Sequence, residues 1–379
     1  MVRCIPTLLV LLLLALTSAA EGAGLVLDAP LEYQVMQRTS KSVGPVVVSG
    51  RIADREIGRF EIECRVIADA KAGPWRGIPI TGGAAGFRGQ LEVPAGGWYR
   101  LEVKAVADGK VIAESVVEHV GVGEVFVVAG QSNSANHGQE KQTTKTGKVT
   151  AFDGKRWQLA NDPQPGASGG GGSFMPPLGD AIAERYGVPV GFVACGIGAS
   201  SVREWLPKGM RFPNPPTIES RVQKSADGQW ECKGQAFEMF TGRMSQLGPR
   251  GFRAVLWHQG ESDANQRDAT RTLPGKLYRE YLEKLIRDSR KQIAWEAPWF
   301  VAQVSYHVPG DEASPDIRSA QASLWKDGIA LEGPDSDALK SEWRERDGKG
   351  VHFSGPGLRQ HASRWFEKIS PWLDGLLEK

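Results

Sequence analysis

Two textures of apolar residues divide the chain. From residue 25 to residue 121 they come in short, partly alternating runs, at 46–50, 60–67, 89–93, 98–106 and 111–120, broken by Gly, Pro and Asp. Alternation with a period of two marks strands with one buried face. Spaced runs of this kind without helical periodicity predict a small antiparallel β-sandwich of immunoglobulin or fibronectin type. From residue 124 onward, strand-like runs alternate with helical ones: 125–129, then 177–185 and 188–194, 277–291 and 299–304, and 313–326. That order predicts βαβ units around a parallel sheet. A final helix over 357–369 carries Leu358, Ala362, Trp365, Phe366 and Ile369 near helical spacing, a stripe that reads as core. Gly121-Val-Gly123 is read as the join between the two regions, with almost no linker.

The ends of the predicted strands carry the chemistry. Val125 to Ala129 is an uninterrupted apolar run, as in a strand covered on both faces, and it stops at Gly130, leaving Ser132 just beyond. Open α/β sheets place their reactive groups at this end of a strand. The surrounding Gly130-Gln-Ser-Asn-Ser134 lacks the second glycine of a Gly-x-Ser-x-Gly elbow, which argues against an ordinary α/β-hydrolase. A second strand-like segment, Ala254-Val-Leu-Trp-His-Gln-Gly-Glu-Ser-Asp263, again ends in a polar cluster. A third, Asp347-Gly-Lys-Gly-Val-His352-Phe-Ser-Gly-Pro356, presents one histidine ahead of the last helix. Serine, glutamine and histidine brought together from distant strand ends would supply a nucleophile, an oxyanion donor and a base.

These segments resemble the SGNH (GDSL-like) hydrolases, and within them the sialate O-acetylesterase and acetylxylan esterase branch, carbohydrate esterase family 6. Gly130-Gln-Ser-Asn133 looks like the nucleophile block and Trp257-His-Gln-Gly-Glu-Ser-Asp263 like the block with glutamine in place of the usual asparagine. Gly196-Ile-Gly-Ala-Ser-Ser-Val-Arg-Glu-Trp-Leu-Pro207 looks like the paired-glycine block, and Val351-His-Phe-Ser354 like the histidine block. The resemblance runs over roughly 124–370. It implies a three-layer α/β sandwich with a parallel central sheet over 122–379, and an accessory β-sandwich module over 21–121. It also implies Ser132 as nucleophile, His352 as base, and an oxyanion hole of the Ser132 N–H, the Gly198 or Ala199 N–H and the Gln259 side chain. Two departures matter: the usual Gly-Gly is Gly198-Ala199, and the aspartate usually found three residues before the histidine is Lys349. Asp347 is then the first choice to orient His352, Asp337 the alternative, and a Ser–His dyad held by a backbone carbonyl the third.

Around these, Asn133, Glu261, Asp263, Trp205 and Trp257 are candidates for contacting substrate or for holding the reactive groups, with orientation of Gln259 or the Ser132 loop favoured for Glu261 and Asp263. His137 is the fallback base, and His258 reads as structural. The stretch Gly166-Ala-Ser-Gly-Gly-Gly-Gly-Ser173 lacks the Gly-Lys-Ser/Thr ending of a phosphate loop and reads as backbone approaching the pocket, with 173–177 lining it. The implied activity is a secreted serine esterase that removes acetyl groups from sialic acid or an acetylated polysaccharide. The alternatives are a noncatalytic carbohydrate-binding protein and a lipase or lysophospholipase on the same fold.

Composition narrows the partners. In 379 residues, Lys+Arg at 46 against Asp+Glu at 44 gives a net charge of +2, without runs of like charge, which argues against nucleic acid. No metal-binding spacing of Cys or His occurs, so no metal or other cofactor is expected. Arg3, the apolar run 8–16 and Ser18-Ala19-Ala20 have the three parts of a secretory signal peptide, residues 1–20, with mature protein starting near Glu21 and secreted or periplasmic. No membrane span is expected after cleavage. Export permits a disulfide, with Cys195–Cys232 the more plausible pair.

Overall fold

The computed structural model describes residues 24–53, 58–264 and 268–378; the signal-like segment lies outside them. The amino-terminal region is built from strands β1 (Leu25–Ala29), β2 (Gln34–Gln37), β3 (Val43–Ile52), β4 (Glu61–Ala68), β5 (Lys71–Ala72), β6 (Arg76–Ile78), β7 (Ile80–Gly83), β8 (Gly86–Pro94), β9 (Gly96–Ala107) and β10 (Lys110–Gly130). One antiparallel sheet has the order β1-β3-β8-β7. Facing it, β4 pairs with β9 and β9 with β10, also antiparallel. Alternation decides which residues go inside. Val46, Val48 and Ile52 of β3 meet Ile62 and Cys64 of β4 and Leu101, Val103 and Ala105 of β9 in one core.

β10 does not stop at the join. It runs through Gly121-Val-Gly123 and becomes the middle strand of a second sheet, pairing in parallel with β13 (Val190–Ala194) on one side and β17 (Ala254–His258) on the other. The glycines there answer to close approach rather than to a break: a Cβ on Gly123 would strike the Pro189 carbonyl, and one on Gly121 would meet Pro189 and Trp98. Glu124 seals the joint from inside. Its buried carboxylate accepts from Arg38 Nε at 2.7 Å, Arg253 Nε at 2.6 Å and Gln37 Nε2 at 3.0 Å.

The second sheet continues through β11 (Val149–Phe152) and β12 (Trp157–Leu159) beyond β13, and through β18 (Trp299–Gln303) and β19 (Leu331–Asp335) beyond β17. A separate small sheet holds β14 (Arg211–Phe212), β16 (Trp230–Cys232) and β15 (Val222–Lys224). Helices α2 (Gln235–Gln246), α4 (Gly275–Gln292) and α5 (Pro315–Lys326) cover one face, α1 (Met175–Tyr186) and α7 (Gly355–Leu377) the other. Two one-turn helices, α3 (Glu261–Ala264) and α6 (Glu345–Gly348), sit at the site. Val125, Val127 and Ala129 of β10 enter the core of the first face, and Phe126 and Val128 that of the second. A strand with both faces covered needs an unbroken apolar run, which is what β10 has here. Chain order crosses from the β13 side to the β17 side of β10, so a topological switch point lies at its carboxyl end.

Cys64, Cys195 and Cys232 are all free thiols and buried. The expected Cys195–Cys232 pair is not formed: Cys232 Sγ contacts the Leu206 carbonyl at 3.1 Å instead.

Candidate active site

At the switch point a cavity of about 680 Å³ opens, lined by groups from the ends of β10, β13 and β17, with further residues from the loops before α2 and α7. Ser132 lies on its wall in a single 3₁₀ turn. The turn is possible because Gly130, at φ 127°, lets the strand end press against β17, where any side chain would strike the His258 carbonyl. Ser132 makes no side-chain hydrogen bond among the described residues, and its backbone N–H donates to none of them. Asn133, next in the chain, fixes the turn: its Nδ2 donates to Glu261 Oε1 at 3.0 Å and to the Val351 carbonyl at 3.2 Å. Three separate segments are thereby pinned around the serine. Burial raises the Glu261 carboxyl to about 7.

His352 lines the same cavity. Its Nδ1 lies 3.0 Å from Glu345 Oε1, so the carboxylate beside the imidazole is Glu345, a residue absent from the candidates drawn from sequence. Asp347 is exposed in a left-handed turn at φ 55°, without a hydrogen bond to His352. Asp337 is buried elsewhere, accepting from Ser305 N, Ser305 Oγ, Tyr306 N and Arg318. The reason lies in a bridge. Arg344 pairs antiparallel with Phe353, which makes 345 and 352 cross-strand neighbours although seven positions separate them. Burial lowers the His352 pKa, and the neighbouring Glu345 opposes part of that shift, so the ring is neutral at neutral pH.

The block at 196–207 is held by a buried network. Asp263 accepts from Ser201 Oγ at 2.6 Å, Val202 N at 2.9 Å, Arg203 Nη2 at 3.2 Å and Gln259 Nε2 at 2.8 Å. The Gly198 N–H donates to Ser168 Oγ at 2.6 Å, while the Ala199 N–H has no acceptor among the described residues. Ala199 sits at φ 54°, a conformation a glycine adopts without strain, which accounts for the paired glycine of the related block. Ser168 comes from the glycine-rich loop. That loop does reach the cavity, but Ser173 is buried against Asp162, and residues 173–177 do not line it.

Gln259 departs from expectation. Fully buried and off the cavity wall, its Nε2 is engaged by Asp263, the Ser200 carbonyl at 3.1 Å and Gln131 Oε1 at 3.3 Å. An amide nitrogen has two hydrogens, so none is left for an oxyanion. Trp205 and Trp257 are likewise wholly buried, packed edge to face at 5.3 Å, and cannot offer a platform to a sugar. Trp205 Nε1 instead holds Ser200 Oγ at 2.9 Å. His137 lines the cavity with Nε2 3.1 Å from Ser168 Oγ and its ring 5.4 Å from that of His352. His258 is a core residue whose pKa burial lowers to about 3.

Residues 122–370 match the profile of the family described as carbohydrate esterase, sialic acid-specific acetylesterase. The chain belongs to this family. It is a carbohydrate O-acetylesterase. Among solved structures, it is similar to a carbohydrate acetylesterase from Xanthomonas citri at 19% identity and TM-score 0.53, over 90% of this chain and 74% of that one. That likeness concerns the mixed α/β fold. A carbohydrate esterase family 2 enzyme with a carbohydrate-binding domain, from Corynascus thermopiles (Myceliophthora fergusii), aligns at 12% identity and TM-score 0.37, over 90% and 92% of the two chains. No curated protein matches the esterase in sequence. Among the described residues no helix is long and apolar enough to cross a membrane.

Proposed function

We propose that the esterase removes acetyl groups from a sugar through an acetyl-serine intermediate formed on Ser132. His352 takes the proton from Ser132 Oγ as it attacks the acetyl carbonyl, then returns it to the departing sugar hydroxyl. Water, activated by the same imidazole, releases acetate. Glu345, at Nδ1, holds the ring in the tautomer whose Nε2 is a base and stabilises the imidazolium that forms. The Ser132 and Ala199 N–H groups receive the oxyanion, while Gly198, tied to Ser168, positions that loop. The observation that carries this reading is the carboxylate-held imidazole opening on the same cavity as an unbonded serine. Rapid quenching during turnover of an acetyl ester should trap one acetyl group, and peptide mapping should place it on Ser132. An adduct on another residue, or none under burst conditions, would sink the mechanism.

For the sugar, we favour an acidic one such as sialic acid over neutral acetylated xylan. Arg221 is the one Lys or Arg lining the cavity among the described residues, and only its Nη1 is engaged, by Glu204 at 3.4 Å. A guanidinium open to the pocket offers a fork to a carboxylate. Arg221→Met should raise KM for O-acetylated sialic acid and leave hydrolysis of acetylated xylo-oligosaccharides unaltered; an equal loss on both would remove the preference. The signal-like residues 1–20 support export, testable by sequencing the amino terminus of the mature protein. The β-rich region 24–121 serves, in this proposal, as an accessory module fixed to the esterase domain.

A further inference from the structure

We infer that the segment 213–221, held by guanidinium groups rather than by secondary structure, is the wall of the cavity that recognises the sugar, and that Arg271 and Asn214 are positioning residues for it. The division between a sugar side and an acetyl side rests on the acetyl-serine reading above. The segment joins β14 to β15 and contains neither helix nor strand. It supplies Thr217, Ile218, Ser220 and Arg221 to the cavity. Its start, Pro213-Asn-Pro-Pro216, accounts for the irregular backbone: three of these four residues have no N–H, so neither a helix nor a sheet ladder runs through them. Among the described residues, 213–218 make no backbone-to-backbone hydrogen bond.

Side chains take up the carbonyls that are left. Arg203 Nη1 donates to the Asn214 carbonyl at 2.9 Å and the Pro215 carbonyl at 3.0 Å, and Arg271 Nη1 to the next one, of Pro216. Arg271 Nη2 also pairs with Glu219 at 2.7 Å. Asn214 Nδ2 donates back to the Thr270 carbonyl at 2.9 Å and the Thr272 carbonyl at 2.8 Å. Arg203 is fully buried and commits all five of its N–H groups, the others going to Ser201 Oγ, Asp263 and the Arg271 carbonyl. Asp263 is the carboxylate that accepts from Ser201, Val202 and Gln259, so one rigid fork sets the wall in register with the 196–207 block. A buried charge is costly unless it is partnered throughout, and a mere connection between two short strands has no use for one. Side chains that must meet a ligand at a fixed geometry do need such support. The chemistry of the wall suits a sugar: hydroxyls at Thr217 and Ser220 for its hydroxyls, Ile218 for an apolar ring face, and Arg221 for a carboxylate where one is present. The acetyl carbonyl goes to Ser132 and His352, and these four residues are offered to the alcohol.

The test uses the full chain with Arg271→Met and Asn214→Ala, each checked for folding by its melting temperature. Arg271→Met frees the Pro216 carbonyl and Glu219; Asn214→Ala cuts the ties to 270 and 272 without touching a charge. Arg203 is spared, because its loss would disturb Asp263 and with it the reactive end. Two esters are compared in each variant: para-nitrophenyl acetate, which carries the acetyl group without a sugar, and whichever acetylated sugar, sialic acid or xylo-oligosaccharide, the esterase turns over. KM for the sugar should rise about tenfold, the loss of one or two hydrogen bonds to substrate, with kcat little changed. The fall in kcat/KM should be about tenfold greater on the sugar than on para-nitrophenyl acetate. Equal losses on the two esters would show general loosening, and an unaltered KM for the sugar would show that the wall does not meet it; either result overturns the inference. Ser132→Ala, run alongside, separates the failures: turnover there removes the acetyl-serine reading, whereas an inactive Ser132→Ala together with equal losses in Arg271→Met removes the wall alone.

Discussion

The two halves of β10 obey different rules. Over 110–120, where the strand pairs with β9, burial alternates: Ala113, Val117 and Val120 face the core, while Glu114, Val116 and Glu118 face water. Over 121–130, where the strand passes from β9 and β2 to lie between β13 and β17, every residue is buried. The peptide backbone is continuous, so the difference comes wholly from what covers the faces. An antiparallel sheet with one wet face tolerates polar side chains at every second position; a sheet between two layers of helices tolerates one only where it is fully partnered, as Glu124 is by Arg38, Arg253 and Gln37. The difference teaches where the esterase has slack. The first half can change its outward residues without consequence, whereas any shift of the second carries Gly130, Gln131 and Ser132 with it.

The sharpest break in that comparison lies at the last turn of the strand. Ser132→Ala should reduce turnover by ~10⁴ or more, the usual consequence of losing a triad nucleophile, with an unchanged melting temperature. Turnover near wild type in the folded variant would remove the role assigned to this end of the strand.

Next in size is Glu345→Gln. An amide at Nδ1 no longer favours the tautomer with a basic Nε2, and the corresponding change in a serine protease costs ~10⁴. A loss of ~10²–10⁴ is expected here, the range allowing for a carboxylate on a partly open loop. Asp347→Asn should leave kcat within about twofold, as for exposed positions without partners. The pH profile adds a readout that general loosening would not give. In the proposed mechanism neutral His352 is the active form, so activity should fall as pH drops through its pKa, which burial has already placed below the ordinary histidine value. Glu345 raises that pKa, so removing it should move the acid limb to still lower pH. A limb that stays in place would show that Glu345 does not act through the imidazole.

Residues 125–129 were legible as a buried strand because five apolar residues in succession admit few other readings, and Ser132 followed from where that strand ends. Glu345 was not legible, since distance along a loop is a poor guide once a bridge such as Arg344–Phe353 folds it back. The continuity of β10 was obscured by Gly121 and Gly123. In sequence they look like punctuation, and only Pro189 across the sheet explains them. Gln259 shows a third limit: its place in a block at a strand end reads as an oxyanion donor, but the direction of its amide depends on Asp263 and Ser200, which no spacing reveals.

Glu124, at the junction of the halves, tests whether they are one unit. Removing one member of a buried, hydrogen-bonded ion cluster leaves charge without compensation and typically costs ~3–5 kcal/mol. Glu124→Gln should lower unfolding stability by about that amount in urea, as Arg38 and Arg253 lose their shared partner. Tryptophan fluorescence and circular dichroism should report a single coincident transition, because the strand that loses its anchor belongs to both regions. Two separated transitions would mean that the amino-terminal region folds independently despite the shared strand.

The smallest effect compares one substitution at two sites of this strand. Threonine has nearly the shape of valine and differs mainly by a hydroxyl, so Val→Thr asks only whether water or a partner is available for it. At Val116, 43% exposed, the hydroxyl is hydrated, and stability should move by no more than ~0.5 kcal/mol. At Val128, wholly enclosed among Phe126, Phe192 and Leu256 in the second core, it would be buried in apolar surroundings. An unsatisfied buried hydroxyl costs ~1–3 kcal/mol. The backbone around Val128 is already committed to β13 and β17, so the carbonyls a threonine would seek are taken. Urea denaturation of the two variants should therefore differ by ~1 kcal/mol or more, with full activity in Val116→Thr. Equal stability changes would mean that the second half of the strand is not the sealed element its uniform burial describes, and that the register delivering Ser132 has more freedom than the packing implies.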